Sequence, residues 1–459
     1  MTTAAPLLLL VTALAAVAAA AAGHGPRAPH RTGACGTGGA VAAYASRRHR
    51  VVDGQVRPVL SSVHPFRPRL SRVATATLIG EITRRPGPRQ LLAVGGDDRA
   101  LRTLLAALMP GDVLTVVLPD ETRAARLRDH LDNTPGLRHL GGRVKVADAP
   151  ATGARFDAGV ALSPVRGSGA AALVAEYRPM IAPGGVLSLA TPLDARAAET
   201  VTADAVRTET VLRNAVPLRV HHLVFGPTDP VVADTLAPAY SPSSVPLTRG
   251  MAIDSNGVAA GALLGGAALL ARRARPNSRL WLAPAVAALP VALFFRDPRR
   301  LVPGDEGAVV SSADGTVLKV QRLTDERFGP GEWLRIAVFL SVLDVHVNRS
   351  PVAGRVVDIL REEGGYAMAQ SESAEHNVAC YTVLETARGP VVVAQRTGLI
   401  ARRIVHRAPV GRLLARGERY GLIRFGSRTD VYLPGDAVDA LVGPGDRVVG
   451  GETVLARYR

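Results

Sequence analysis

Midway along the chain the spacing of apolar residues changes, and that change demands two differently built halves. Up to about residue 226, short apolar runs alternate with helical stretches. QLLAVGG (90–96), DVLTVVLPDE (112–121), RVKVAD (143–148), FDAGVAL (156–162) and PGGVLSLATP (183–192) read as strands, segments such as RALRTLLAALM as the helices between them, and RVHHLVFGP (219–227) as a late strand. Such alternation predicts an α/β domain over 35–226 with a Rossmann-like, mostly parallel sheet. From 301 to 459 the helical period disappears. Runs such as WLRIAVFLSVLDVHV, ACYTVLET and GPVVVAQR, punctuated by Gly and Asp-Gly, predict a β-rich C-terminal domain.

Three segments join or precede these halves. Residues 6–22, PLLLLVTALAAVAAAAA, make 1–34 an apolar leader or anchor; without a basic stretch ahead of it, a misplaced start stays open as well. Residues 227–250, rich in Pro, Ser and Thr, read as a linker. In 251–300, GVAAGALLGGAALLA and LWLAPAVAALPVALFF flank the basic hinge RRARPNSR. Each stretch is shorter than the roughly twenty residues that cross a bilayer. With the charges at the ends rather than along one face, a short apolar helical hairpin entering one leaflet is favoured over two buried core helices. The expected location is the cytoplasmic face of the cell membrane, with the protein peripheral or monotopic.

Charge points to the same surface. Lys and Arg number 55 against 39 Asp and Glu, a net charge of +16 that favours anionic partners, an acidic lipid surface among them. Aromatics are only 4%, which argues against single-strand nucleic acid as the partner. Two cysteines, Cys35 and Cys380, exclude a disulfide framework and a four-thiolate zinc site, and no other spacing suggests a metal. Lys145 and Lys319 are the only lysines, so a cofactor anchored on lysine has two candidate positions.

Four strings occur in order in the second half: FFRDPRRLVPGDEGAVVSSADGTV (294–317), FLSVLDVHVNRSPVAGRV (339–356), AQRTGLIARRIVHR (394–407) and ERYGLIRFGSRTDVYLP (418–434). On these, residues 251–459 resemble the short form of the phosphatidylserine decarboxylase proenzymes. The resemblance implies that FGSR is a self-cleavage site. Ser427 attacks the Gly426 carbonyl, the ester undergoes β-elimination, and hydrolysis leaves a pyruvoyl group on residue 427, giving a β chain (1–426) and an α chain (427–459). It further implies conversion of phosphatidylserine to phosphatidylethanolamine. Loss of an α-carboxylate leaves a carbanion that needs an electron sink, and a ketone supplies one without a lysine.

By the same resemblance Asp314 and a histidine activate Ser427. His346 is the acid/base candidate, where longer relatives carry a second histidine at the position of Arg349. Arg349 and Arg296 are candidate contacts for the substrate's phosphate or carboxylate. His376 and His406 read as surface or structural residues.

In the first half, the order of motifs resembles class I methyltransferases. That likeness implies S-adenosylmethionine at the carboxyl edge of the sheet, contacted by Gly95, Asp120 and Asp148. Three rival functions follow: methyl transfer to an aminolipid, alone or beside decarboxylation; decarboxylation of archaetidylserine; and a non-catalytic basic membrane adaptor with FGSR intact. A homo-oligomer stays open.

Overall fold

The computed structural model describes residues 69–459, apart from 167–168, 194–200, 202–203, 227, 240–243, 249, 400–402 and 425–426. The leader, Cys35 and Gly426 therefore lie outside the described residues.

Seven strands form the N-terminal sheet: Gln90–Val94 (β1), Val113–Val117 (β2), Val144–Ala147 (β3), Phe156–Ala161 (β4), Ile181–Pro192 (β5), Ala205–Val211 (β6) and Leu218–Val224 (β7). Their order is β3-β2-β1-β4-β5-β7-β6, with β1 to β5 parallel and β7 antiparallel to both neighbours. Apolar clusters cover both faces, one around Leu91, Leu104 and Val116 and the other around Leu92, Tyr177 and Leu187. This is the mostly parallel α/β sheet the alternation demands. β6 is the strand that the sequence does not reveal.

The expected linker is not featureless. Val231–Asp234 forms a helical turn, and Ala233 and Leu236 pack on Ala353, Leu413 and Ala415 of the second half. Ser244–Pro246 (β8) pairs with Met251–Asp254 (β9), which pairs with Arg296–Pro298 (β10). Between β9 and β10 stands the hairpin, helices Ser255–Ala274 and Leu282–Phe294. Gly257 permits their close approach, because a Cβ there would lie 2.6 Å from that of Phe295. The first helix is longer than the apolar run suggests, yet no described helix is long and apolar enough to cross a membrane. Only Gly257, Ala260 and Ala268 of the first helix, and Val291 and Phe294 of the second, are buried. The alternative of two buried core helices is thereby corrected: Leu263, Leu269, Leu270, Val286 and Leu289 are each at least 63% exposed.

After β10 the described chain is mostly β structure: Ala308–Val310 (β11), Gly315–Thr324 (β12), Glu332–Leu340 (β13), Val347–Arg349 (β14), Gly354–Glu362 (β15), Ala379–Thr386 (β16), Gly389–Arg396 (β17), Arg403–His406 (β18), Leu413–Leu414 (β19), Arg419–Arg424 (β20), Ser427–Pro434 (β21), Val438–Ala440 (β22), Arg447–Val448 (β23) and Val454–Tyr458 (β24). An eight-stranded sheet runs β19-β15-β16-β17-β21-β13-β12-β23, flanked by the small sheets β11-β24-β22 and β14-β20-β18. Its main core contains Val309, Ile336, Val356, Val393 and Leu433.

Candidate active site

β21 is central in its sheet, pairing with β13 (Ser427 opposite Leu340) on one side and with β17 (Arg428 opposite Arg396) on the other. Side chains alternate across a strand. Val431 and Leu433 enter the main core, so Ser427 and Thr429 share that face. Ser427 is fully buried, and its Oγ has no hydrogen-bond partner among the described residues. An unpaired buried hydroxyl costs about 1–3 kcal/mol, so such atoms concentrate where chemistry needs them. Two residues on, the Thr429 hydroxyl accepts a 2.9 Å hydrogen bond from Ser312 Oγ.

Ser312 belongs to the loop that carries Asp314. The following Gly315 opens β12 against the β13 backbone: a Cβ there would lie 2.0 Å from the Phe339 carbonyl oxygen. The Asp-Gly pair thus marks a close approach as well as a turn. Arg300 Nη2 donates to both Asp314 oxygens at 2.8 and 2.7 Å, and the Gly450 N–H donates to Oδ1 at 2.8 Å. β12 and β21 flank β13 with Thr316 opposite Phe339 and Ser427 opposite Leu340. Asp314 and Ser427 therefore meet the same end of the sheet.

His346 precedes β14 and is buried. Its Nδ1 lies 2.9 Å from the Asp344 carbonyl oxygen. A carbonyl only accepts, so Nδ1 carries the proton and Nε2 is the acceptor. Burial pushes the imidazole pKa down to about 4; Asp344 opposes the shift and the Arg296 charge adds to it. Arg296 itself is half-buried and donates to the Leu343 carbonyl.

Arg349 is placed differently from the expectation of a substrate contact. It is buried, and its guanidinium donates to Asp297 Oδ1 at 2.9 Å and to the carbonyls of Pro298 and Gly417 at 3.0 and 3.1 Å. Burial, with the nearby Arg419 charge, pulls its pKa down to about 10, so it stays charged at neutral pH. Its donors are spent inside the protein: it ties β14 to β10 rather than presenting a fork to a ligand.

The carboxyl edge of the N-terminal sheet brings Gly95, Asp120 and Asp148 to neighbouring strand ends, where each already has a contact within the chain. Helix Asp98–Leu105 starts immediately after the glycine pair, with Asp97 as its cap. The Gly96 N–H donates to Ser163 Oγ at 3.2 Å, and a Cβ on Gly96 would lie 2.8 Å from that of Leu162, so the turn is filled from within. Buried Leu118 follows β2, while Asp120 is exposed and caps helix Glu121–Asn133 through the Arg123 N–H. Asp148 is exposed and accepts from the Ala149 N–H.

A family model described as phosphatidylserine decarboxylase matches residues 288–456. Over 172 residues the chain is 50% identical to the phosphatidylserine decarboxylase proenzyme of Geotalea uraniireducens, covering 37% of this chain and 80% of that protein. The chain belongs to the phosphatidylserine decarboxylase family. The proenzyme of Pelobacter propionicus is 51% identical over 166 residues, covering 36% of this chain and 74% of that one. Among solved structures, the chain is similar to a putative methyltransferase from Thermoplasma acidophilum, with 20% identity, a TM-score of 0.25, and 31% of this chain and 70% of that one covered.

In this decarboxylase family member, sequence reading missed a charged layer on the reverse face of β21. Asp430 is buried and receives Arg428 Nε at 2.6 Å and Arg396 Nε at 3.0 Å. Burial alone would raise its carboxyl pKa, but Arg428 and Arg396 hold it below the ordinary value. Glu375 receives Arg335 at 2.8 Å and Arg428 at 3.0 Å. Beside them, a cleft of ≈ 480 Å³ is lined by Arg327, Glu362, Glu375, His376, Asn377 and Arg396. Arg-x-Asp at 428 and 430, two opposite charges on one face of a strand, was the readable signal. The Arg428–Glu375 pair joins the segment after residue 426 to the segment before it.

Proposed function

We propose that the chain is made as a proenzyme, cuts itself between Gly426 and Ser427, and then decarboxylates phosphatidylserine at a membrane surface. The observation that carries this reading is the buried Ser427 Oγ, without a hydrogen-bond partner among the described residues, at the head of a central strand and at the sheet end that also holds Asp314. Both Asp314 oxygens accept from Arg300, while the Nδ1 proton of His346 points at the Asp344 carbonyl and leaves Nε2 as the basic nitrogen of the ring. His346 is therefore the base that takes the Ser427 hydroxyl proton, and Asp314 fixes the loop beside it.

The oxygen adds to the Gly426 carbonyl carbon and the peptide C–N bond breaks. Loss of the Ser427 Cα proton then expels the Gly426 carboxylate from Cβ, and water replaces the nitrogen, released as ammonia, to leave a ketone. The pyruvoyl group so formed supplies the electron sink for the carbanion left when carbon dioxide departs. β13, opposite Ser427, and β17, from Arg428 onward, hold the new amino-terminal strand in place after scission, and the Arg428–Glu375 pair adds a charged tie between the fragments.

Membrane docking is assigned to the hairpin. Its exposed leucines lie between the basic turn, with Arg272, Arg273, Arg275 and Arg279 all exposed, and the root at Arg296–Arg300. Charges at both ends favour a hairpin lying within the headgroup boundary of the cytoplasmic leaflet. Methyl transfer is not part of this reading, because the glycine turn and Asp120 are engaged within the chain. Intact mass measurement tests it: two fragments divided at 426/427, the second beginning with a keto group, are expected. Ser427→Ala should give one full-length mass and no carbon dioxide release, and carbon dioxide release by that variant would refute the reading.

A further inference from the structure

The two halves meet through a buried ion cluster at a revealing place. Arg84 is 3% and Glu418 1% exposed in their side chains, and Arg84 Nη2 lies 2.5 Å from Glu418 Oε2. Arg412 donates to Glu418 Oε1 at 2.7 Å, and the Ala415 N–H donates to Oε2 at 3.0 Å. On its own side Arg84 pairs with Glu81 at 3.2 Å, Glu81 receives Arg207 at 3.1 Å, and Arg207 also pairs with Glu209. Arg84 Nε further donates to the Ala237 carbonyl, while the Ala237 N–H donates back to the Arg84 carbonyl. Guanidiniums and carboxylates alternate through this cluster, as burial of charge requires.

Glu418 stands at the root of the two strands that carry the chemistry. β20 begins at the next residue and runs toward Gly426 and Ser427. Its partner β14 begins one residue after His346, with Val347 opposite Leu422 and Arg349 opposite Arg419. The Ser350 N–H donates to the Glu418 carbonyl at 2.7 Å, the Gly417 N–H donates to the Ser350 carbonyl, and Arg349 donates to the Gly417 carbonyl. At the other end of the ladder the Ile423 N–H donates to the His346 carbonyl. One short ladder, bulged between Asn348 and Arg349, thus links Glu418 to both His346 and the strand that leads to the cleavage segment.

We propose that the N-terminal domain serves the decarboxylase half as a positioning module, with Arg84 holding Glu418 so that the β14–β20 ladder presents His346 and Ser427 in register for self-cleavage. Arg84 acts through Glu418 and touches no reacting atom. The assignment rests on the self-cleavage reading above. It also gives the α/β domain a task that needs no cofactor.

The test follows the full chain from synthesis by denaturing electrophoresis, with thermal melting of the same preparations. Wild type must convert to two fragments; failure to do so defeats the self-cleavage reading and this inference with it. Given conversion, Arg84→Gln is expected to slow it by about tenfold or more well below its own melting transition, the scale on which small misplacements of reacting groups act. Arg84→Lys restores positive charge at Glu418 and should recover most of the rate. Leu104→Ala empties a core position of the same domain without touching the ion cluster, and should leave the rate within about twofold of wild type despite a lower melting temperature. Equal rates for wild type and Arg84→Gln, or equal slowing by Leu104→Ala and Arg84→Gln, would overturn the proposal.

Discussion

The ring of Phe294 lies 4.2 Å from the imidazole of His346, tilted by 38°. Phe294 is the last residue of the second hairpin helix, so the element assigned to the membrane ends directly on the acid/base candidate. At the hairpin's other root, Arg424 Nη2 donates to Asn256 Oδ1 at 2.5 Å, and Arg407 pairs with the helix cap Asp254 at 2.6 Å. Hairpin and site form one packed unit through these three contacts.

Phe294 helps keep His346 dry, and dryness is the main cause of its depressed pKa. Phe294→Ala should therefore raise the pKa from about 4 toward the ordinary imidazole value. If His346 is the base, the acid limb of the self-cleavage pH profile moves upward with it. A limb that stays in place would remove His346 from that role.

Buried histidines also set the acid stability of the chain. The pKa of His346, His221 and His406 is pushed down to about 4, and that of His222 to about 3, by burial in each case. Folded values below the unfolded one mean that the unfolded chain binds more protons between about pH 6.5 and 4. Stability should be flat above that window and fall as pH drops through it, by on the order of 2 kcal/mol for His346 alone at about pH 5. Thermal melts across pH 7.5 to 4.5 check this; a melting temperature that holds constant down to about pH 4.5 would contradict it.

Most strands of the first sheet were legible because apolar residues dominate their short runs between helical stretches, and the four ordered strings made Ser427, Asp314 and His346 findable. What was not legible has a common cause. β6 reads as polar, AVRTETV, yet Arg207 points into the buried cluster with Glu81, far away in sequence. Arg349 looked available because its partner Asp297 lies in another motif. The 227–250 segment looked like a linker because β8 has only three residues and takes its pairing from β9. Ion pairs and edge pairings across long separations leave no local period to read.

Gly315 offers a test of the site's construction. A methyl group there would lie 2.0 Å from the Phe339 carbonyl oxygen, and backbone cannot yield as a flexible side chain would. Gly315→Ala should push β12 off β13 beside Asp314, cost about 1–3 kcal/mol, and abolish or strongly slow fragment formation. Denaturant unfolding and electrophoresis read the two effects. Wild-type cleavage in this variant would show that the placement of Asp314 does not matter.

The hairpin makes a prediction in which binding and folding separate. Leu263, Leu269 and Leu289 are 74%, 70% and 63% exposed, so replacing all three with Ser should leave the melting temperature almost unchanged. Each Leu buried in lipid contributes up to about 1.5–3 kcal/mol, so the triple variant should lose most of its flotation with vesicles containing phosphatidylserine. Replacing Arg272, Arg273 and Arg275 with Gln should weaken flotation by about 1 kcal/mol per charge and reduce its salt dependence. Loss of flotation by the arginine variant with none by the leucine variant would mean that the chain is held at the surface by charge alone and that the hairpin does not enter the lipid.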